Sequence, residues 1–358
     1  EGFSHVDLFD NKPTLKQYHG EEIPPSVKGT QRLTGMTSNQ GKYPVVAPLK
    51  GDYPFAGLCG TAVVWKLAQA ILGADHPFLD RHLDIVALAT VADVVPLVDE
   101  SRALALAGLR RLAQTQKPGL RALMDVAGVD PATCDEGAIG YRLAPRINAS
   151  GRLGKPEAAL ELLLTDDRDE AKGLARRLEH LNSERKIVEE RILHAAVDEI
   201  ESWPEARRRQ RGYVVAGADW HEGVIGIVAS RLVERYGRPV VLIAGTKGSG
   251  RTSGTFDLHG ALAACGEHLE RFGGHRAAAG LTIDADRIDA FAAAFAAHAD
   301  ATLSDDDLRP QLTVDAVVAG TELGLPLCEE LGRVAGDKLE CEVEGVGKMS
   351  VSIGQPLK

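Results

Sequence analysis

Three short polar stretches combine glycine with side chains that can bind an anion. They read Asp-Trp-His-Glu-Gly at 219–223, Gly-Ser-Gly-Arg-Thr-Ser at 248–253 and Gly-Gly-His-Arg at 273–276. Glycine lets backbone amides approach an anion closely, while arginine, histidine and hydroxyl side chains supply further donors. Taken singly, each stretch is more commonly a plain loop. Together they predict a phosphate site built from His221, Gly250, Arg251, Thr252, Ser253, Gly273, Gly274 and His275.

The elements around these stretches alternate between helix and strand. The apolar run after residue 223 predicts a helix that ends at Gly237-Arg238-Pro239, and the following Val-Val-Leu-Ile-Ala predicts a buried strand. Residues 286–303 predict an alanine-rich helix with Ile288, Phe291 and Phe295 facing inward. The pattern is that of an α/β domain whose polar turns carry the donors.

A second basic stretch lies upstream, with the sequence Tyr-Arg-Leu-Ala-Pro-Arg-Ile-Asn-Ala-Ser-Gly-Arg at 141–152. Arg146 and Arg152 have the planar guanidinium that suits two-point contact with a phosphate, and Asn148 can hold a turn or touch the strand. Surface salt bridges are the alternative role for the arginines.

Asp93 stands beside Thr90 in the almost wholly apolar segment 83–97. A carboxylate in such a setting is expected to be desolvated, which is costly unless it is paired or bound to a metal. The sequence therefore predicts that Asp93 is paired or bound to a metal, with a helix cap as the alternative.

Composition indicates a soluble cytoplasmic protein of two domains. The 358 residues are 44% hydrophobic and 26% charged, with no signal-peptide pattern and no apolar run of membrane-spanning length. The five cysteines are scattered, which argues against disulfides and zinc. The net charge of -10 is unfavourable for a polyanionic partner, but the basic residues are locally grouped, at 142–155, 231–238 and 247–276.

These motifs, in this order, resemble the RecJ family of the DHH phosphoesterase superfamily over about residues 53–334. The resemblance implies an α/β fold in which a truncated DHH-type domain is joined by a long helix to a DHHA1-type domain. It also implies a 5′ to 3′ single-stranded-DNA exonuclease of DNA repair and recombination, with Mn²⁺ or Mg²⁺ as cofactor and Asp93 as one ligand. Single-stranded DNA is the expected partner, with a single-strand-binding protein or a helicase as further partners.

The expected domain boundaries follow from this resemblance. They are an irregular segment at 1–49, a partial DHH domain at 50–167, a linker helix at 168–203, a DHHA1 domain at 204–302, the start of an OB-like extension at 303–334 and a hairpin-like tail at 335–358. The two ends resemble other families, namely sulfatase-like proteins at the front and fumarylacetoacetate-hydrolase proteins at the back.

The Asp-x-Asp and Asp-His-His motifs that supply most metal ligands in the RecJ family have no match in this sequence. Two-metal cleavage needs several carboxylate and imidazole ligands, and Asp93 alone cannot hold both ions. The sequence therefore predicts an impaired exonuclease, or a module that binds strands without cleaving them. His5, Asp7 and Asp10 are the alternative source of the missing ligands, and the truncated first domain is expected to be poorly stable.

Overall fold

The computed structural model describes residues 34–38, 43–46, 53–309, 324, 338–343 and 347–352. The chain divides into two compact units, the first with residues 1–146, 160–176 and 319–358, the second with residues 147–159 and 177–318. These divisions differ from the domain boundaries expected from the sequence, which stay predictions. None of the described helices combines the length and the apolarity that a membrane span requires.

Two short strands are described before residue 50. Strands β1 (Thr34–Ser38) and β2 (Tyr43–Val46) pair in an antiparallel hairpin that the sequence did not predict, and the largely irregular structure expected for residues 1–49 stays a prediction. The candidate ligands His5, Asp7 and Asp10 lie outside the described residues.

Helices build the described core of the first unit. Their bounds, with those of the helices that continue into the second unit, are α1 (Gly60–Leu72), α2 (Pro77–Arg81), α3 (Leu83–Ala92), α4 (Asp99–Leu112), α5 (Pro118–Ala127), α6 (Glu136–Ala138), a π-helix (Ile139–Leu143), α7 (Ala144–Leu153), α8 (Glu157–Leu164) and α9 (Arg168–Ser202). Helices α3 and α4 pack closely at Gly108, where a Cβ atom would lie 2.2 Å from the carbonyl oxygen of Leu83. The long helix α9 confirms the helix expected over these residues.

The buried carboxylate of α3 is Asp84, which is only 1% exposed. Its two oxygens accept hydrogen bonds from Lys117 Nζ at 2.7 and 2.8 Å, and one also accepts from Thr115 Oγ1 at 2.8 Å. This carboxylate is therefore paired as burial requires, and it joins the start of α3 to the start of α5.

A five-stranded mixed sheet forms the centre of the second unit. It contains β3 (Tyr213–Gly217), β4 (Val240–Ala244), β5 (Lys247–Arg251), β6 (Arg271–Gly274) and β7 (Ala278–Thr282), in the spatial order β3-β4-β5-β7-β6. The connections include α10 (Glu205–Arg208), α11 (Glu222–Tyr236) and α12 (Leu258–Ala264), and α13 (Ile288–Thr302) follows the last strand. Only β3 and β4 are parallel, and α11 crosses between them; the other pairs are antiparallel.

Each face of this sheet is covered by helices. One core joins α11 and the later turns of α9 to residues of β3 and β4, while the other joins α12 and α13 to β4 and β7. Phe291 and Phe295 of α13 are fully buried, which confirms the inward face predicted for this helix. Helix α11 thus starts at the carboxyl end of β3 with its body held against the sheet.

The last described residues form an antiparallel hairpin of β8 (Lys338–Val343) and β9 (Gly347–Ser352), which confirms the hairpin predicted near the end of the chain. Among the described cysteines, Cys59 and Cys265 are buried and Cys134 is half-buried, and all three are free thiols.

Candidate nucleic-acid interface

The start of α11 lies at the centre of the candidate site. His221 is the N-cap, and its Nδ1 atom accepts a hydrogen bond of 3.1 Å from the backbone amide of Gly223. The ring is exposed, so its Nε2 edge can still face a ligand. The positive end of the helix dipole favours an anion, although Glu222 already places one carboxylate there and the amides of Gly223 and Val224 already donate to His221.

Gly223 brings Arg152 against this helix start. A Cβ atom at Gly223 would lie 2.3 Å from the carbonyl oxygen of Arg152, so the two backbones meet more closely than any side chain would allow. The Arg152 guanidinium donates through Nη1 to the carbonyl oxygen of Gly223 at 3.2 Å. Burial lowers the pKa of Arg152, and the nearby Arg185 lowers it further, whereas Glu189 opposes the change. The group nevertheless stays charged at neutral pH.

Arg251 reaches the same helix from strand β5. Its guanidinium lies over Gly226, where a Cβ atom would be 2.7 Å from Nη2 and 2.9 Å from the Oγ atom of Ser249. Nη1 donates to Ser249 Oγ at 3.0 Å and to the carbonyl oxygen of Gly250 at 2.7 Å, which fixes the guanidinium in place. Burial lowers the pKa of Arg251, and the charge of Arg152 adds to the effect.

The two arginines therefore form a half-buried pair of like charges beside a helix start. Within the described ranges no ion pair joins a carboxylate to Arg152 or to Arg251, and their hydrogen bonds go to backbone carbonyls and to Ser249. Two partly desolvated cations that repel each other are stabilised by a shared anion. A phosphate suits the site because guanidinium groups bind its oxygens through two parallel hydrogen bonds.

The glycines around Arg251 do not form the turn that the sequence indicates. Residues 247–251 are strand β5, paired with β4 on one side and β7 on the other. A Cβ atom at Gly250 would lie 3.0 Å from the side chain of Leu258, so this glycine makes room for the core rather than exposing amides. The turn comes later, at Gly254 and Thr255, and before it the Thr252 amide donates to the carbonyl oxygen of Ala277 at 3.1 Å.

The Gly-Gly-His motif lies at the edge of the sheet. Gly273 and Gly274 end strand β6, and exposed His275 begins the turn to β7, where its amide donates to the carbonyl oxygen of Ala278 at 2.8 Å. No heavy atom lies within 4 Å of a Cβ position at Gly273, so the surface in front of it is open. Strand β7 separates β6 from β5, which puts this motif about 10 Å from the Arg251 strand.

The upstream basic stretch is helical, and its residues fall in different compact units. In the first unit, Arg146 donates through Nη1 to the carbonyl oxygen of Arg142 at 2.5 Å. In the second, Asn148 is exposed on α7 and Arg152 approaches α11. Arg152 is thus the member of this stretch that joins the site around Arg251, and the phosphate roles of Arg146 and Asn148 stay predictions.

Asp93 is exposed, so the expected desolvation of this carboxylate is wrong. It is the C-cap of α3, and Val94 follows with a φ angle of 55°, which turns the chain away from the helix. No group of three or more His, Cys, Asp or Glu residues with the geometry of a metal site occurs in the described ranges. The residues described there do not fit a two-metal centre, and the metal role of Asp93 stays a prediction.

The other grouped arginines are largely engaged with protein partners. Arg231 contacts Glu189 and Glu190, and Arg235 contacts Glu201 at 2.8 Å. Arg142 donates to the carbonyl oxygens of Ala127 and Gly128, and Arg238 to those of Arg208 and Gln210. Their clustering in sequence therefore reflects helix packing and loop anchoring rather than a continuous basic surface.

Sequence reasoning missed Ser249, Arg185 and the two glycines of α11. Gly223 and Gly226 are three residues apart and thus share a helix face, and such spacing indicates that a neighbour approaches that face closely. This signal was available, but the identity of the neighbours, Arg152 and Arg251, depends on the tertiary fold.

Comparison with known proteins agrees with this arrangement. Residues 210–300 match the model of the DHHA1 domain. The single-stranded-DNA-specific exonuclease RecJ of Bacillus subtilis is 39% identical over 276 residues, which cover 75% of this chain and 34% of that protein. RecJ of Escherichia coli is 36% identical and covers 78% of this chain and 52% of that protein. The chain spans about a third to a half of the length of these relatives.

Solved structures give the same result. A Mg²⁺ complex of RecJ from Thermus thermophilus superposes with a TM-score of 0.67 at 37% identity, over 73% of this chain and 41% of that one. A manganese-bound exonuclease RecJ superposes with a TM-score of 0.61 at 36% identity, over 69% of this chain and 62% of that one. Over the region shared with these proteins, the chain is therefore similar to RecJ exonucleases in sequence and in fold, and residues 210–300 match the DHHA1 domain.

Proposed function

We propose that this chain binds single-stranded DNA through the Arg152–Arg251 pair, as part of a RecJ-type exonuclease reaction. The observation that carries the proposal is the half-buried pair itself, in which Arg152 lies against Gly223 and Arg251 against Gly226 of α11, and neither forms an ion pair with a carboxylate of the described residues. The similarity to RecJ supports DNA as the polymer, because the curated relatives are single-stranded-DNA-specific exonucleases.

The pair acts as a fixed receptor for one backbone phosphate. Arg251 is held by Ser249 and by its own strand, so it loses little side-chain entropy when the phosphate binds. Arg152 is tied to the Gly223 carbonyl and presents its remaining donors from the other side. The bound phosphate offsets the repulsion between the two guanidinium groups, so that binding relieves a cost already present in the free protein.

The rest of the DNA strand is proposed to follow the edge of the same β-sheet. The β6–β7 hairpin offers an open surface at Gly273 and the exposed ring of His275, about two strand spacings from β5. Thr252 and Ser253 follow Arg251 directly, and exposed Ser253 supplies a hydroxyl donor along this path, whereas the Thr252 hydroxyl already donates to the carbonyl oxygen of Ser253 at 3.2 Å. These contacts are to the sugar-phosphate backbone of the DNA, so the proposal predicts little preference for base sequence.

Hydrolysis in the 5′ to 3′ direction is the finer part of the proposal. Mg²⁺ and Mn²⁺ in solved RecJ structures support a divalent-metal reaction in the family. Asp93 is the residue of this chain proposed as a ligand, although the described residues do not by themselves fit a two-metal site. Binding without cleavage is the alternative outcome. A cytoplasmic role in DNA repair and recombination, and docking to a single-strand-binding protein or a helicase, belong to the same proposal.

The test measures the affinity of a fluorescein-labelled oligothymidylate as a function of salt. Counterion release predicts that log K falls with log salt with a slope of about -0.7 for each phosphate contact on a single strand. Because both arginines bind the same phosphate, Arg152→Gln and Arg251→Gln are each expected to make this slope shallower by at most about 0.7, and the double variant by no more. Arg235→Gln removes the same charge from a residue paired with Glu201 and is expected to leave the slope unchanged.

Digestion is measured in parallel on a 5′-phosphorylated oligonucleotide with Mn²⁺, for the wild type and for Asp93→Ala. Cleavage by the wild type and not by the variant supports the complete reaction. Salt-sensitive binding by both without cleavage supports a strand-binding role alone. Affinity that is independent of salt, or unaffected by either arginine substitution, overturns the proposal.

A further inference from the structure

Helix α9 carries a nearly buried ion pair whose charges act on Arg152. Arg185 Nη1 bonds to Glu189 Oε2, and the two side chains are only 11% and 12% exposed. Arg185 also donates through Nε and Nη2 to the Oδ1 atom of Asn182, at 3.3 and 3.1 Å, and Asn182 is fully buried. The other oxygen of Glu189 accepts from Arg231 Nη1 of α11 at 3.2 Å. One nearly buried carboxylate therefore bridges two arginines of neighbouring helices.

The same part of α9 packs against the end of α7 that carries Arg152. A Cβ atom at Gly154 would lie 3.3 Å from the side chain of Leu181, one residue before Asn182. Arg185 and Glu189 are also the two charged groups that act on Arg152, with opposite signs. The charge of Arg152 acts in turn on Arg251. The ion pair and the phosphate site thus belong to one cluster of charges within the second unit.

Positive charges outnumber negative charges in this cluster. Arg152, Arg185 and Arg251 contribute three positive charges, and Glu189 is the carboxylate that acts on this group, although it also neutralises Arg231. Partly buried guanidinium groups repel one another strongly unless an anion lies among them. A carboxylate that is part of the protein provides this compensation at all times, whereas a phosphate provides it only while the strand is bound.

We propose that Glu189 is a resident counterion of the arginine cluster, which lowers the affinity of the Arg152–Arg251 site for phosphate, and that Arg185 raises it. This inference rests on the proposed function and adds a regulation of that site. Glu189 and Arg185 are positioning residues, since the phosphate binds Arg152 and Arg251 and not the ion pair. Because Glu189 and Arg185 carry opposite charges, their electrostatic effects on the bound phosphate have opposite signs. The hydrogen bond between them is lost in the same way when either residue is substituted.

The experiment compares the affinities of the full chain and its variants for the fluorescein-labelled oligothymidylate at low salt. The removal of one unit charge close to a partly buried phosphate site changes the affinity for the phosphate by roughly three- to tenfold. Glu189→Gln is expected to tighten binding by this factor, and Arg185→Gln is expected to weaken it. A purely structural ion pair predicts instead that both substitutions loosen the fold and weaken binding together.

Glu201→Gln is the matched control. Glu201 pairs with Arg235 between the same two helices, α9 and α11, and the substitution changes the net charge by the same amount. Arg235 lies about 18 Å farther along α11 than Gly223, well beyond the Debye length of about 10 Å at 0.1 M salt. The affinity of this variant is expected to stay within about twofold of the wild type.

A second comparison keeps the test valid if Glu189→Gln does not fold. The double variant Arg185→Gln and Glu189→Gln leaves no unpaired charge in the bridge to Asn182, and it is expected to bind more tightly than Arg185→Gln alone. Weaker or equal binding in this comparison overturns the inference, as does weaker binding by a folded Glu189→Gln protein. If the wild type binds the oligothymidylate and Arg152→Gln does not, either of these overturning outcomes refutes the counterion role alone. If the wild type does not bind the oligothymidylate, the proposed function fails as well.

Discussion

Substitution of Gly226 by alanine separates strand binding from folding. Gly226 lies on the face of α11 that Arg251 covers, and the atoms nearest to a new Cβ are the Nη2 of Arg251 at 2.7 Å, the Oγ of Ser249 at 2.9 Å and the Cζ of Arg251 at 3.4 Å. All three belong to the ends of side chains. The side chains can move aside, whereas the backbones of the helix and the strand need not shift.

The size of the effect follows from these distances. To bring Nη2 from 2.7 Å to ordinary contact near 3.4 Å, the guanidinium must retreat by about 0.7 Å. This retreat weakens the bonds of 3.0 and 2.7 Å that fix Arg251 to Ser249 and to the Gly250 carbonyl. A charged hydrogen bond contributes about 1.5–3 kcal/mol, so a displaced receptor is expected to lose about 1–1.5 kcal/mol of binding, or roughly five- to tenfold in affinity.

Stability is expected to change little. Alanine gains about 1 kcal/mol of helix propensity over glycine, and the crowding of flexible side-chain ends costs a similar amount. The measurement is the affinity for oligothymidylate beside a urea unfolding curve of the same preparation. Gly173→Ala in α9 is the control, because a Cβ there meets no atom within 4 Å and no arginine is displaced. A folded Gly226→Ala protein that binds as tightly as the wild type would refute the assigned role of Arg251.

Two further predictions concern the first unit. Lys117→Met leaves the 1% exposed carboxylate of Asp84 without its cation, so the unfolding free energy measured in urea is expected to fall by about 3–5 kcal/mol. Lys172→Met, which removes an exposed pair at 3.0 Å, is expected to cost less than about 1 kcal/mol, and equal losses would contradict this view of Asp84. Burial, with a smaller contribution from a neighbouring carboxylate, raises the pKa of the Cys134 thiol to about 11. Only about one thiol in a thousand is ionised at pH 8, so the rate of alkylation at Cys134, followed by peptide mass spectrometry, is expected to rise about tenfold per pH unit up to about pH 11. A rate that levels off near pH 9 would show that the thiol has an ordinary pKa.

Asp84 and Asp93 lie at the two ends of α3 and differ in burial, and the helical period explains why both cannot be buried. Asp84 and Asp93 are nine residues apart, which on a helix of 3.6 residues per turn is two and a half turns, so they point to opposite sides. Only one of them can face the core, and the structure buries Asp84 and exposes Asp93. The apolar composition of the segment indicated that a carboxylate would be buried, but it did not indicate which one. Lys117, whose cation pairs with Asp84 and so stabilises its burial, lies at the start of another helix, α5.

The glycine-rich strand could not be predicted for a related reason. Residues 247–251 have low intrinsic strand propensity, and the strand forms because β4 and β7 pair with both of its edges. Gly248 and Gly250 are needed because Leu281 and Leu258 fill the space that their side chains would take. Local residue types therefore indicated a turn, whereas contacts across the sheet produce a strand that aims Arg251 at α11.

The choice among the arginines is set by partners that lie far away in the sequence. Arg231 and Arg235 look as suitable for phosphate as Arg152 and Arg251, yet they meet Glu189, Glu190 and Glu201 across two packed helices. These partners are 34–42 residues away, so no local pattern reveals them. A chain with a net charge of -10 can therefore bind a polyanion, because Glu189, Glu190 and Glu201 engage the arginines of α11, while Arg152 and Arg251 form no ion pair with a carboxylate of the described residues. Affinity in such a protein is governed by which cations lack a fixed partner, and the net charge says little about it.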